Sequence, residues 1–279
     1  MTENEIKFQE GLRKAREHFE KKQYKNARLI YFQAMNQVES PVEKAIIWAE
    51  ISWVYYYEND FNKAIEAAEN VLINDPKYKA LDDLYRVQGY SYLSLNNMTL
   101  AERFLQLSLE NNSIDEKQQY VKYELGKLHF IRGNYDLAHP FFNEIREYFE
   151  NSNDEYKRSV WFYLGFIYYY LNNFEKSQEY FTQILSDDSS AKRQASAKFG
   201  LAFLEFQKKN FLNTITLCEE IVALDADFFD KESVGFLTAA SYLYLGRKDI
   251  FNEYFIKMKE TYPSGRYDKE LDTLAASVE

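Results

Sequence analysis

Four side chains in this sequence have the chemistry of metal ligands or nucleophiles: His18, His129, His139 and Cys218. No two histidines have the spacing of a zinc site. Cys218 cannot form an intramolecular disulfide because it is the single cysteine of the chain, and it falls where other repeats carry phenylalanine. That position predicts a buried thiol, which is a poor nucleophile. The sequence also lacks phosphate-binding glycine loops, so we expect a non-enzymatic protein with neither metal nor cofactor.

Composition and charge restrict the classes of partner. Lys and Arg number 34 against 44 Asp and Glu, which gives a net charge of −10. This balance disfavours nucleic acid and anionic membranes as partners. The most apolar run, Val160 to Leu171, has 12 residues, whereas a membrane span needs about 20. The first residues lack the apolar core of a signal peptide, so we expect a cytoplasmic protein without direct membrane insertion.

A short phrase returns along the chain at intervals of 37 residues, with one interval of 39. It consists of a turn residue, an aromatic residue, two variable positions and a small residue. The aromatic position holds Tyr24, Phe61, Met98, Tyr135, Phe174, Phe211 and Lys248, and the small position holds Ala27, Ala64, Ala101, Ala138, Ser177, Thr214 and Phe251. A fixed period of this length predicts a stack of supersecondary units that bury their apolar faces against one another.

Each repeat is predicted to be a helical hairpin. Trp48, Ile51, Ser52 and Tyr55 have the spacing of an amphipathic helix. A second small position recurs in this first helix, at Ala15, Ser52, Gly89, Gly126, Gly165, Ala202 and Ala239. Since glycine costs about 1 kcal/mol in a helix, its return predicts close approach of the two helices.

The turn between the two helices is also recognisable. Left-handed backbone is expected at Asn59, Asn96, Gly133, Asn172 and Gly246, because Asn and Gly tolerate that conformation. Side-chain caps of the second helices are expected from Asp60, Asn97, Asn134, Asn173 and Asn210.

The order of aromatic, Leu, Gly, Tyr, then Ala, Phe and Pro resembles the tetratricopeptide repeat, most closely from Trp161 to Tyr168 with Phe174 and Phe181. The resemblance covers roughly residues 6–263 as seven units. It implies an all-α, right-handed superhelical solenoid. After the break at Pro263, Leu271, Leu274 and Ala275 share one side of a helix, which predicts a capping helix at roughly 266–277 that docks on the second helix of the seventh unit. The fold is a scaffold used for many functions.

In this family the concave surface comes mainly from the first helices, and the resemblance therefore implies the partner-binding residues. They are Trp53, Tyr56, Tyr57, Arg86, Tyr90, Tyr123, Lys127, Phe130, Phe166, Tyr169, Tyr170 and Phe203. Two interpretations of the aromatic members stay open. They form a groove for a partner, or the turns of the solenoid bury them as core.

The favoured function is a non-catalytic interaction module that binds a peptide or protein, and the alternative is a peptide-responsive regulator. A clamp for an acidic carboxyl terminus is not expected, because the corresponding face offers Trp53, Tyr90 and Phe166 in place of Lys and Asn. Finally, the interval of 39 residues and Pro140 just upstream predict a seam near residue 152, between the fourth and fifth units.

Overall fold

The computed structural model describes residues 3–111, 116–152, 154–187 and 190–277. These parts of the chain are all-α, as the sequence predicts. The helices are α1 (Glu3–Glu20), α2 (Tyr24–Met35), α3 (Pro41–Tyr57), α4 (Phe61–Asn74), α5 (Leu81–Ser94), α6 (Met98–Asn111), α7 (Lys117–Ile131), α8 (Tyr135–Ser152), α9 (Asp154–Tyr170), α10 (Phe174–Asp187), α11 (Ala191–Gln207), α12 (Phe211–Leu224), α13 (Lys231–Tyr244), α14 (Lys248–Thr261) and α15 (Asp268–Ala276).

The chain forms two compact units that meet in sequence between Leu128 and His129. In the first unit the hairpins α1–α2, α3–α4 and α5–α6 pack in chain order. In the second unit the hairpins α9–α10, α11–α12 and α13–α14 pack in the same way, with α8 against α9. Each unit is therefore a stack of helical hairpins in which consecutive hairpins share one apolar core.

Left-handed residues end the first helices, as predicted. Asn59, Asn96 and Asn172 have φ of 62°, 57° and 59°, and Gly133 and Gly246 have φ of 74° and 77°. Lys22 and Lys209 adopt the same conformation, with φ of 57° and 62°. These two were not predicted, because lysine has no preference for this region.

The predicted caps form at three of the turns. The side chains of Asp60, Asn97 and Asn173 accept hydrogen bonds from backbone N–H groups three residues ahead. The prediction is wrong for Asn210, whose amide donates to Glu205 Oε2 at 2.9 Å. Glu205 lies at the end of the preceding helix and competes with the backbone for this side chain.

The two small positions of the repeat lie where neighbouring helices touch. Every residue at the small position of the second helices, from Ala27 to Phe251, is 0% exposed. A Cβ atom added to Gly89 would lie 2.7 Å from the Leu105 side chain, and one added to Gly165 would lie 2.7 Å from the Phe181 ring. The predicted close approach is confirmed in the hairpins α5–α6 and α9–α10.

The region of the predicted seam is described in part. Asn153 lies outside the described residues, between α8 and α9. Pro140 does not delay α8, which begins at Tyr135 and carries the proline within it. The chain divides into its two compact units between Leu128 and His129. The seam near residue 152 stays a prediction.

The last helix, α15, contacts both helices of the final hairpin rather than α14 alone. Leu271 of α15 is 3% exposed and joins a core with Ala239 and Met258. Just before α15, the Tyr267 ring stacks on Phe236 with 4.2 Å between centroids. Within the described chain, no helix has the length and apolarity that a membrane crossing requires.

Candidate functional site

In the first unit, aromatic side chains of α3 and α5 form a continuous surface, which we call the amino-terminal aromatic cluster: Trp53, Tyr56, Tyr57 and Tyr90. The ring centroids of Trp53 and Tyr56 are 5.7 Å apart, and those of Tyr56 and Tyr90 are 6.2 Å apart. Tyr57 is 46% exposed, and the other three are partly exposed. The helical spacing of Trp53, Tyr56 and Tyr57 puts them on one side of α3.

A polar network fixes the orientation of Trp53. Its Nε1 donates a hydrogen bond to Asp83 Oδ2 at 2.7 Å. Asp83 also pairs with Arg86, whose guanidinium lies 5.0 Å from the centroid of the Trp53 ring. Arg86 is only 7% exposed, so it supports the cluster from below and does not present its charge to a partner.

In the second unit, the corresponding residues of α9 and α11 form the carboxy-terminal aromatic cluster: Phe166, Tyr169, Tyr170 and Phe203. Tyr170 is 43% exposed, whereas Phe166 is 4% exposed. The Phe166 ring packs against Phe181 and Phe203 at 5.0 and 5.7 Å. Phe166 was predicted to face a partner; the structure buries it because Phe203 and Phe181 cover it from two sides.

The fourth repeat contributes less surface than the sequence predicts. Tyr123 is 8% exposed and therefore belongs to the core. The Lys127 ammonium lies 5.3 Å from the centroid of that ring and donates to Glu124 Oε2 at 2.9 Å. Phe130 stays partly exposed in the second unit, where it contacts Tyr135 at 5.5 Å.

Three stacked aromatic pairs recur at equivalent positions, and the sequence reading missed them. The aromatic residue of the phrase stacks on the last residue of the next first helix, in the pairs Tyr24–Tyr57, Tyr135–Tyr170 and Phe211–Tyr244. Their centroids are 5.3, 4.1 and 4.8 Å apart. The second residue of each pair, always a tyrosine, is exposed, by 46, 43 and 54%. An aromatic residue at both positions in three of the repeats was the available signal.

The comparisons with known proteins agree with this geometry. The family model of the tetratricopeptide repeat matches residues 159–190, which form most of the α9–α10 hairpin. The same hairpin recurs along the chain, and the fold is that of solved tetratricopeptide repeat structures. The chain therefore has the tetratricopeptide repeat fold, and its α9–α10 hairpin matches the repeat itself.

Three solved structures illustrate the similarity of the fold. PilF of Pseudomonas aeruginosa has 14% identity and a TM-score of 0.58, over 84% of this chain and 99% of that chain. YrrB, described as a TPR protein with an unusual peptide-binding site, has 16% identity and a TM-score of 0.57, over 71% and 93%. The apo form of RapI has 20% identity and a TM-score of 0.58, over 93% and 100%. A comparison with curated protein sequences found no significant match.

The nucleophile and metal-ligand candidates of the chain lie in packing positions. Burial raises the pKa of the Cys218 thiol to about 11, which keeps it protonated at neutral pH. His129 is 6% exposed and stacks on Phe141, and His18 Nδ1 lies 2.5 Å from Gln23 Oε1. His139 Nε2 lies 2.9 Å from the Tyr168 hydroxyl, and burial lowers its pKa. Among the described residues, no group of three His, Cys, Asp or Glu side chains could hold a metal ion.

Tyr57, Tyr169 and Tyr170 are neutral hydrogen-bonding groups. Burial raises the pKa of Tyr57 and of Tyr169. Burial and the neighbouring Tyr135 raise the pKa of Tyr170 to about 12. A phenol hydroxyl in this state both donates and accepts, so the two surfaces combine apolar ring faces with polar tips.

Proposed function

We propose that this protein is a non-catalytic interaction module that binds a peptide or a segment of a protein on its aromatic clusters. The observation that carries the proposal is the exposure of aromatic rings on the first helices, above all Tyr57 and Tyr170 at 46 and 43%. Exposed apolar patches on soluble proteins mark interaction sites. The tetratricopeptide repeat fold supports the same class of function.

The physical character of the clusters favours a polypeptide ligand. Tyrosine and tryptophan provide a large contact area with few rotatable bonds, so little side-chain entropy is lost on binding. The tyrosine hydroxyls can hydrogen-bond to the backbone of an extended or helical peptide. Asp83 already orients Trp53, and this preorganisation reduces the cost of binding.

The solved structures add support at the level of the fold. YrrB carries a peptide-binding site on the same type of scaffold. The peptide-responsive regulator is the alternative within this proposal, and the kind of molecule that binds separates the two. A stable protein partner favours an interaction module, whereas a short peptide that alters the protein's conformation favours a regulator.

The proposal is tested by capture of partners on immobilised full-length protein, with quantitative mass spectrometry of bound proteins and peptides. The informative variants are Tyr57→Ala and Tyr170→Ala, singly and together. Because both rings are nearly half exposed and lie at helix ends, truncation should leave the helical circular dichroism unchanged. Each substitution should weaken capture of a specific partner by about tenfold, as expected when an interface tyrosine is lost.

Leu212→Ala is the matched control, because Leu212 is 69% exposed on the second helix α12. It removes a similar apolar surface outside both clusters. A partner that binds all of these variants as well as it binds the wild type would contradict the proposed surface. Loss of helicity in the tyrosine variants would show that the rings are needed for folding.

A further inference from the structure

A separate cavity of about 240 Å³ lies beside the carboxy-terminal aromatic cluster. It is formed by the amino-terminal halves of α9 and α11 and by the connection between α12 and α13. Its lining includes Arg158, Ser159 and Phe162 of α9, Arg193 and Ser196 of α11, and Phe229. Two arginines, two hydroxyls and aromatic walls are together in a space the size of one amino-acid side chain.

The cations of this cavity are paired to different degrees. Asp187 accepts from Lys157 Nζ at 2.7 Å, and its Oδ2 atom lies 2.8 Å from Arg158 Nε. Arg193 Nη2 is 4.0 Å from Glu155 Oε1, and the Glu155 side chain is 80% exposed. A solvated pair at that distance contributes little. Arg193 can therefore turn towards an anion in the cavity without losing a strong partner.

The aromatic wall is held in place by the loop before α13. Phe228 N–H bonds to Asp225 O at 3.0 Å, and the Phe228 side chain is 4% exposed. This anchor leaves the next residue, Phe229, 68% exposed. The Phe229 ring nevertheless contacts Phe162, with 6.1 Å between centroids, and Phe199, with 5.7 Å. Phe229 therefore stands at the mouth of the cavity as an apolar wall.

We propose that this cavity binds an oxyanion, a carboxylate or a phosphate, carried on an aromatic or aliphatic group of the partner. Arg193 binds the anion as a charge-assisted donor. Phe162 and Phe229 contact the apolar stem that carries it. The proposal rests on the proposed function, because it assigns one anchoring group of the bound polypeptide.

Three small probes test the charge requirement on the full chain: N-acetylphenylalanine, its neutral amide N-acetylphenylalaninamide, and phenyl phosphate. Binding is measured by saturation-transfer NMR and calorimetric titration. The carboxylate should bind about tenfold more tightly than the amide, the size expected for one charge-assisted contact. Tighter binding of phenyl phosphate than of the carboxylate would identify a phosphorylated side chain as the source, and the reverse order would identify a carboxylate.

Arg193→Gln should abolish the difference between the acid and the amide. Arg247→Gln is the matched control, because Arg247 is an exposed arginine of the same unit that pairs with Asp249. Equal binding of acid and amide to the wild type, absence of saturable binding by every probe, or an unchanged difference in Arg193→Gln would each overturn the proposal. If partner capture on the tyrosine surfaces persists in that case, the proposed function stands and only the anion site fails.

Discussion

Helices α3 to α5 of the first unit and α9 to α11 of the second occupy equivalent positions in the repeat, but different side chains fill the interior between them. Helices α3 and α9 end in the same Tyr-Tyr pair, and Trp48 and Trp161 occupy equivalent positions. The larger interior side chain, however, comes from a different helix in each unit: from the first helix of a hairpin (Val87 of α5) in the first unit, and from the second helix (Phe181 of α10) in the second. In the first unit Ala68 and Val87 belong to one buried core, whereas in the second the Phe181 ring fills the space left by Gly165 and Gly200.

The same positions differ in polarity. Asp83 and Arg86, which orient Trp53, correspond to Ser196 and Phe199 in the second unit. The positions of Arg158 and Arg193 are held by Ala45 and Ala80 in the first unit. In the first unit the polar side chains at these positions therefore orient an aromatic surface, whereas in the second unit they line a cavity. The repeat pattern determines the backbone, and the side chains at a few equivalent positions determine what each unit can bind.

The largest test of this comparison is Phe181→Ala. Phe181 is fully buried, so truncation should destabilise the second unit by about 3–5 kcal/mol through lost burial and a residual cavity. Gly200→Val alone should also destabilise it, because the new side chain would overlap the Phe181 ring. Urea midpoints and hydrogen exchange in α9 to α11 measure both effects.

The double variant Phe181→Ala/Gly200→Val reproduces the pair Ala68 and Val87 of the first unit. We expect it to recover part of the loss, because the valine occupies space vacated by the ring. A double variant that is less stable than both single variants would show that the two pairs of side chains are not interchangeable. That result would contradict the comparison of the two interiors.

The second test concerns the polar network. Asp83→Ala leaves the Trp53 N–H and the buried guanidinium of Arg86 without this acceptor. We expect a loss of about 2 kcal/mol in the free energy of unfolding, together with a change in near-ultraviolet circular dichroism. Ser196→Ala at the equivalent position should cost less than about 0.5 kcal/mol.

Removing the charge of Arg86, which Asp83 balances, should restore stability to Asp83→Ala. Arg86→Phe introduces the residue found at the equivalent Phe199. Asp83→Ala/Arg86→Phe should therefore be more stable than Asp83→Ala alone. A double variant that merely adds the two single losses would contradict a coupled network.

The third test uses pH. The hydrogen bond from Lys157, helped by Arg158, lowers the pKa of Asp187, whereas the equivalent residue of the first unit is the neutral Asn74. A depressed carboxyl pKa stabilises the fold above the unfolded value of about 4, and this contribution disappears as the pH falls through the folded value. Asp187→Asn should cost up to about 1 kcal/mol at neutral pH.

The difference between Asp187→Asn and the wild type should shrink as the pH is lowered below about 4 and as salt is added. Thermal melts from neutral to acidic pH measure it. A constant difference at every pH would attribute the effect to packing rather than to charge.

Much of the fold could be predicted because the relevant information is local and repeated. The positions of Asn59 and Gly246 predict left-handed turns, and the small residues from Ala27 to Thr214 predict helix contacts. The exposure of the candidate site could not be predicted in the same way. Phe166 and Tyr170 both belong to the aromatic face of α9, yet Phe166 is buried by Phe181 and Phe203. Burial there depends on side chains from other hairpins, which helical spacing alone does not include.

The smallest effect is expected at the two left-handed lysines, one in each unit. Lys22 and Lys209 have φ of 57° and 62° at positions where other repeats use Asn or Gly. The left-handed conformation costs a non-glycine residue about 1–2 kcal/mol of conformational energy, while glycine loses more backbone entropy on folding. Lys209→Gly should therefore stabilise the second unit by about 0.5 kcal/mol, a shift of about 1–2 °C in melting temperature.

Lys22→Gly should have the same effect in the first unit, because the turn geometry is the same. Asn172→Gly is the control with a smaller expected gain, since asparagine already tolerates φ of 59°. Differential scanning calorimetry on the three variants compares them directly. A lower melting temperature for both lysine variants would mean that unfolded-state entropy outweighs the relief of strain. Equal shifts in the two lysine variants, of either sign, would show that the turns of the two units are equivalent in energy as well as in geometry. The differences between the units would then be confined to the packed and polar positions between helices.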